Sequence, residues 1–183
     1  MDPIYIILII IGVLALFVIL LYNGLIRLRN QVRNSWSQID VQLKRRNDMI
    51  PNLIKTVKGY AKHEKELLTT LTKERTAMMK TSDMKKKAQH SDKLSDALKS
   101  VFAVSESYPD LKANQNFLQL QEEISGTENK IAYARQHYND MVLRFNTKIE
   151  QFPANMIANS LGFSKREYFK TPEEQRKNVE VSF

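Results

Sequence analysis

Between Ile4 and Tyr22 the chain reads IYIILIIIGVLALFVILLY, nineteen residues without a charge. Lipid offers no partner to backbone N–H and C=O groups, so a run of this kind has one economical solution, a helix that satisfies them within the segment. At about 1.5 Å per residue it extends roughly 28 Å, close to the hydrocarbon thickness of a bilayer. Ile4, Tyr5, Gly12, Phe17 and Tyr22 are therefore assigned to a membrane-spanning helix. Tyr5 and Tyr22 bracket it as interfacial anchors, and Gly12 is an interruption that membrane helices tolerate. The run lacks the basic n-region and small-residue cleavage site expected of a removable signal peptide.

Charge predicts the orientation. Arg27, Arg29 and Arg33 follow the span closely, Lys44, Arg45 and Arg46 come next, and no lysine or arginine precedes it. The positive-inside rule then expects the N-terminus outside an inner cell membrane and the remainder in the cytoplasm. The three juxtamembrane arginines set topology, and each is worth about 1 kcal/mol of attraction to anionic headgroups. All 28 Lys and Arg lie after Tyr22, whereas 1 of the 20 acids, Asp2, lies before it, leaving +9 on the rest of the chain. A cytoplasmic face beside anionic lipid accounts for that charge better than nucleic acid, for which no motif is present. Without cysteine there is neither a disulfide framework nor a thiolate zinc site.

Beyond the span, apolar residues recur at alternating intervals of three and four. Val32, Ile39, Leu53, Tyr60 and Leu67 form one seven-residue series, and Trp36, Leu43, Ile50, Val57, Leu71 and Met78 interleave with it. The spacing predicts one amphipathic helix from about Gly24 to Lys80, kinked at Pro51 and continuous with the membrane helix. Residues 79–93, with Lys85, Lys86 and Lys87, read as a solvated turn or a frayed helix end, followed by a short helix over 91–107 that ends at Tyr108-Pro109. A third helix starts near Asn114 or Asn116 and carries Phe117, Ile124, Ile131, Tyr138, Phe145 and Phe152 seven apart. Phe152-Pro153 stops it, and a short helix over 154–161 ends at Gly162.

The expected architecture is all-α: a transmembrane helix, then an elongated bundle of three long helices with coiled-coil character, plus a short C-terminal helix. Residues 1–23 form the anchor, 24–163 the bundle and 164–183 a polar tail. The middle helix is too short to cover the long ones, so apolar surface near the membrane is left for burial in a homo-oligomer.

Taken together the motifs resemble the LemA family of prokaryotic membrane proteins. The resemblance rests on Tyr22-Asn23, Leu28-Arg29-Asn30, Trp36, the segment from Ile39 to Arg46, Ile50-Pro51-Asn52-Leu53 and Val57-Lys58-Gly59-Tyr60-Ala61. It continues through the segment from Tyr108 to Asn114, that from Thr127 to Ala132, Tyr138-Asn139, Phe152-Pro153 and Tyr168-Phe169. It implies a short extracytoplasmic N-terminus, one span and a bundle of long helices. It implies no established enzymatic activity, and the residues themselves lead us to expect no cofactor.

Candidate sites are few. His63-Glu64 begins like a zinc-protease helix, but Leu67 stands where the second histidine is needed, and no Glu-x-x-His pair supplies a di-iron site. Arg46 and Glu64 interrupt the first helix's stripes, and Thr127 does so in the third beside Glu128. Such residues can fix register or oligomeric state, although long side chains also snorkel from a flank into water, which is the preferred reading for Arg46 and Glu64. Gly59 and Gly126 suit a close helix crossing or an incidental placement. Val179, Val181 and Phe183 alternate as a strand-addition tag would, against the plainer alternative of a disordered tail. The function expected is a non-catalytic membrane scaffold or adaptor that self-associates and docks a membrane protease or other membrane protein. A membrane-bound metal-dependent hydrolase is the alternative.

Overall fold

The computed structural model describes residues 2–61 and 64–169. The tail residues Val179, Val181 and Phe183, and His63 of the zinc-like sequence, lie outside the described residues. Among the described residues all regular structure is helical, in the order α1 Pro3–Tyr60, α2 Lys65–Lys80, α3 Met84–Ser105, α4 Pro109–Lys112, α5 Gln115–Glu150 and α6 Asn155–Ala158. The chain divides into two compact units. One holds residues 2–37 with 136–168, the other residues 38–135 with Phe169.

In the first unit, α1 begins with Pro3 in its first turn, where a missing N–H costs nothing. The 18-residue apolar window of this helix has mean hydropathy 3.4, and none of it is buried. Past Tyr22 the helix continues unbroken and buries Leu25 and Val32. Those side chains are covered by the end of α5 and the segment after it, whose Phe145, Ile149 and Phe163 are also buried. The expected uncovered apolar surface near the membrane is therefore not found: the chain's own return segment covers it. Trp36 meets Tyr138 edge to face with centroids 5.7 Å apart. Seven residues toward the membrane, the Phe163 ring sits between Arg29, 5.6 Å away, and Phe145, 6.3 Å away. Both meetings place α1 and α5 antiparallel in one register.

The second unit contains the rest of α1 and α5 with α2, α3 and α4. The helix expected to run to Lys80 stops at Tyr60. Its apolar stripe continues in phase through the break, since Val57 and Leu71 are fourteen residues apart and both buried, so periodicity conceals the turn. The lysine run, expected to be a solvated turn or a frayed helix end, is the first turn of α3, where Asp83 Oδ1 accepts from the Lys86 N–H at 2.8 Å and caps the helix. Leu94, Leu98 and Val101 of α3 and Leu68, Leu71 and Met78 of α2 are buried. Pro109 opens the single turn of α4 rather than only ending α3. Asn114 caps α5, its Oδ1 accepting from the Phe117 N–H at 3.0 Å, as expected of that residue type.

Helix termination after α6 uses Gly162, whose φ of +76° lies in the left-handed region that favours glycine. At Gly59 and Gly126 an added Cβ would meet open space, so neither marks a close helix crossing.

Candidate functional site

The least expected feature of the second unit is a buried cluster of charge. Arg46 stands on the α1 series between Ile39 and Leu53, both at 0% exposure, and is itself at 0%. It does not snorkel: a helix face whose neighbours one heptad away are fully covered gives its head no route to water. Arg46 Nη1 donates to Glu128 Oε1 at 2.5 Å and to Ser95 Oγ at 2.7 Å. Arg46 Nη2 donates to Ser91 Oγ at 2.8 Å and to the Ser91 carbonyl at 3.3 Å. Ser95 Oγ donates in turn to Glu128 Oε2 at 2.8 Å, closing a ring across α1, α3 and α5.

A second arginine enters from α5. Arg135 Nη1 donates to Asp92 Oδ1 at 2.7 Å and Nη2 to Ser91 Oγ at 2.7 Å, with its guanidinium 4.3 Å above the Phe169 ring. The two guanidinium groups thus share the Ser91 hydroxyl, Glu128 pairs with Arg46 and Asp92 with Arg135, and the four formal charges cancel. Burial pulls the Arg46 guanidinium below the usual arginine range, the Glu128 carboxylate opposes that, and Arg135 and Asp92 act in opposite directions from further away. The Nε atoms of Arg46 and Arg135 are buried with no hydrogen-bond partner among the described residues. Nearby in sequence, Glu74 is buried on α2 and its Oε2 lies 2.7 Å from His90 Nδ1.

The other expected candidates are dispersed. Thr127 is buried but donates to the Glu123 carbonyl of its own helix at 2.8 Å. Glu64 is half-buried and accepts from the Tyr108 hydroxyl at 3.3 Å. Arg27 and Arg33 are exposed, and Arg29 is half-buried over Phe163. Ser91, Asp92 and Ser95 had no signal beyond small or polar residues adjoining the Leu94 and Leu98 stripe, and Arg135 none beyond a charge beside Ala134 on α5.

Chemically the cluster fixes position. An arginine ring of this kind tolerates one helix register, because a shift of either helix by a residue leaves a buried charge unmatched, at a cost of several kcal/mol. Among the described residues no group of three or more His, Asp or Glu is placed to hold a metal. A surface groove of about 1170 Å³ lies elsewhere, along α2 and the end of α1, lined by Lys58, Lys65, Leu68, Lys73, Ala77 and Lys80 among others and, among the described residues, by no acid.

The model of the LemA family matches residues 35–183. Protein LemA of Metamycoplasma hominis is 33% identical over 165 residues, covering 87% of this chain and 74% of its own. Magnetosome proteins MamQ 1 and MamQ 2 of Paramagnetospirillum magneticum are each 23% identical over 175 residues, covering 81% of this chain and 64% of theirs. The span at the N-terminus, the helical bundle behind it and the family match together place this chain in the LemA family of membrane proteins.

Proposed function

We propose that the protein is a membrane-anchored scaffold or adaptor, oriented with its N-terminus outside and its bundle in the cytoplasm, that self-associates and docks other membrane proteins without catalysing a reaction. One observation carries this reading: α1 runs without a break from the bare apolar span into a helical body whose register is held by the buried Arg46–Glu128 pair. Anchoring by the apolar helix keeps a docked partner at the membrane. The orientation is supported by exposed Arg27 and Arg33 beside the span. Docking is supported by the lysine-rimmed groove on α2, which complements an acidic amphipathic segment, and by exposed apolar side chains such as Tyr133 and Val41.

The chain has no cysteine, so single cysteines report cleanly. Asp2→Cys should react with an impermeant maleimide on intact cells, and Ser107→Cys only after permeabilisation; the reverse pattern overturns the orientation. In mild detergent the particle should exceed the 21.3 kDa of one chain after subtraction of bound detergent, and a strictly monomeric mass contradicts self-association.

A further inference from the structure

The turn that follows α5 is the longest uncharged stretch beyond the span: residues 151–164 carry no Asp, Glu, Lys or Arg, in a chain that is 26% charged. It is also apolar at its surface, with Phe152 at 78% exposure, Met156 at 71% and Leu161 at 38%. Singly exposed apolar residues need no explanation, but three within ten residues without an intervening charge do.

Register says where this turn sits relative to the span within its own unit. Trp36 meets Tyr138, and Arg29 and Phe145 flank the Phe163 ring, so antiparallel α1 and α5 advance residue for residue. Tyr22 lies fourteen residues before Trp36 and Phe152 fourteen after Tyr138, which brings Phe152 to the level of the last residue of the apolar run. An independent contact agrees: the Phe163 ring sits 5.9 Å from that of Tyr22, edge to face. The Phe163 N–H bonds the Ala158 carbonyl at 2.9 Å, so the turn carrying Met156 and Leu161 is tied to the ring that touches Tyr22.

We propose that residues 151–163 form a lipid-facing wedge, in which Phe152, Met156 and Leu161 enter the cytoplasmic interface of the same bilayer that α1 crosses. The occupant of this apolar face is lipid, because the face is continuous with the span and level with its interfacial tyrosine. Monotopic apolar surfaces of this kind settle roughly 5–10 Å into the boundary between headgroups and acyl chains. Arg166 and Arg27, both exposed, stand just beyond the uncharged turn and just beyond Tyr22, where anionic headgroups lie. The wedge gives the protein a second attachment beside its single helix and fixes rotation about the helix axis, which one span alone leaves free.

The inference rests on α1 crossing the membrane, and the test separates the two. Single cysteines replacing Leu14, Leu143, Phe152 and Met156 in the full chain are nitroxide-labelled and reconstituted into vesicles of phosphatidylethanolamine and phosphatidylglycerol. Collision with oxygen, which partitions into lipid, is compared with collision with a water-soluble nickel chelate. Labels at 14, 152 and 156 should favour oxygen, most strongly at 14. The label at 143, about 13 Å further along α5, should favour the nickel chelate. If 152 and 156 behave like 143 while 14 stays in lipid, the wedge is refuted and the span stands. If 152 and 156 are shielded from both reagents, protein covers the turn and the wedge is refuted. If 14 itself is reached by nickel, the span fails and the wedge with it.

Discussion

Arg46 Nη1 and Glu128 Oε1 lie 2.5 Å apart across α1 and α5, with the arginine side chain wholly buried and the glutamate side chain 30% exposed. Fourteen residues along the same two helices, Asn114 Nδ2 donates to the Tyr60 hydroxyl at 2.9 Å, which is the same antiparallel register at the far end of the unit. A charged pair set into an apolar seam in this way selects alignment more than it adds stability, since desolvation offsets much of the attraction.

Removing one partner should therefore cost far more than removing both. Arg46→Ala takes from Glu128 its charged partner and from the Ser91 and Ser95 hydroxyls one donor each, and should destabilise the full chain in detergent by about 3 kcal/mol. At about 2–4 °C per kcal/mol for a chain of this length, that lowers the melting temperature by roughly 6–12 °C. The double replacement Arg46→Met with Glu128→Leu should recover most of the loss. Thermal unfolding followed by circular dichroism checks both; equal losses in single and double variants contradict the account.

Pro51 within α1 has no N–H, so the carbonyl four residues earlier, that of Asn47, loses its helical donor. Arg75 of α2 supplies one, its Nε donating to the Asn47 carbonyl at 3.0 Å. Arg75→Met should cost about 1–3 kcal/mol, the penalty of an unsatisfied buried acceptor. In a Pro51→Ala background, where the alanine N–H restores the helical bond, the same replacement should cost about 1 kcal/mol less or better. A double-mutant cycle with no coupling would show that the two sites do not share this carbonyl.

The segment after α6 is held to α5 by bonds from a side chain to its backbone. Asn146 Nδ2 donates to the Arg166 carbonyl at 2.9 Å and Asn146 Oδ1 accepts from the Arg166 N–H at 2.8 Å, a two-point clasp on an extended strand of chain. Asn146→Ala should speed amide exchange selectively over residues 164–168 while leaving α3 protected. Unchanged exchange there would mean the clasp carries no local stability.

Tyr138 supplies the pH dependence. Burial raises its phenol above the usual tyrosine value, Arg166 opposes this and Glu167 adds to it, while the hydroxyl donates to the Glu167 carbonyl at 3.1 Å. A raised folded-state pKa means the folded protein holds the proton longer than the unfolded chain. Its contribution is fully present below about pH 10, the unfolded value, and is lost as pH rises through the folded one. Tyr138→Phe should lose about 1 kcal/mol at neutral pH and show a shallower decline above about pH 10. A parallel decline in both proteins contradicts this assignment.

The sequence shows the stripes because a period of seven is a direct imprint of helix packing, and so the span, α5 and the Asn114 cap are legible in it. It conceals what tertiary contacts decide. The break after Tyr60 is invisible because Val57 and Leu71 stay in phase across it. The position of Arg46 stands out as polar in an apolar series, yet its burial depends on Ser91 and Ser95, which α3 delivers from 45 and 49 residues away. Ser91 resembles a helix start in sequence, and only the Asp83 cap, eight residues earlier, moves it into the helix interior. Phe152 belongs to the α5 stripe by period but lies past the helix end, so it is exposed where its predecessors are buried.

The central claim, that this anchored bundle works by holding other proteins at the membrane, is tested most directly by photo-crosslinking in native membranes. A benzoylphenylalanine at Tyr133, 74% exposed, and another at Lys73 in the groove of α2 are activated in living cells, and the adducts are identified by mass spectrometry. The account predicts defined protein adducts, a second copy of the chain or a membrane protein, that disappear when the span is deleted. Absence of any protein adduct at both positions, with the protein expressed and folded, would contradict it.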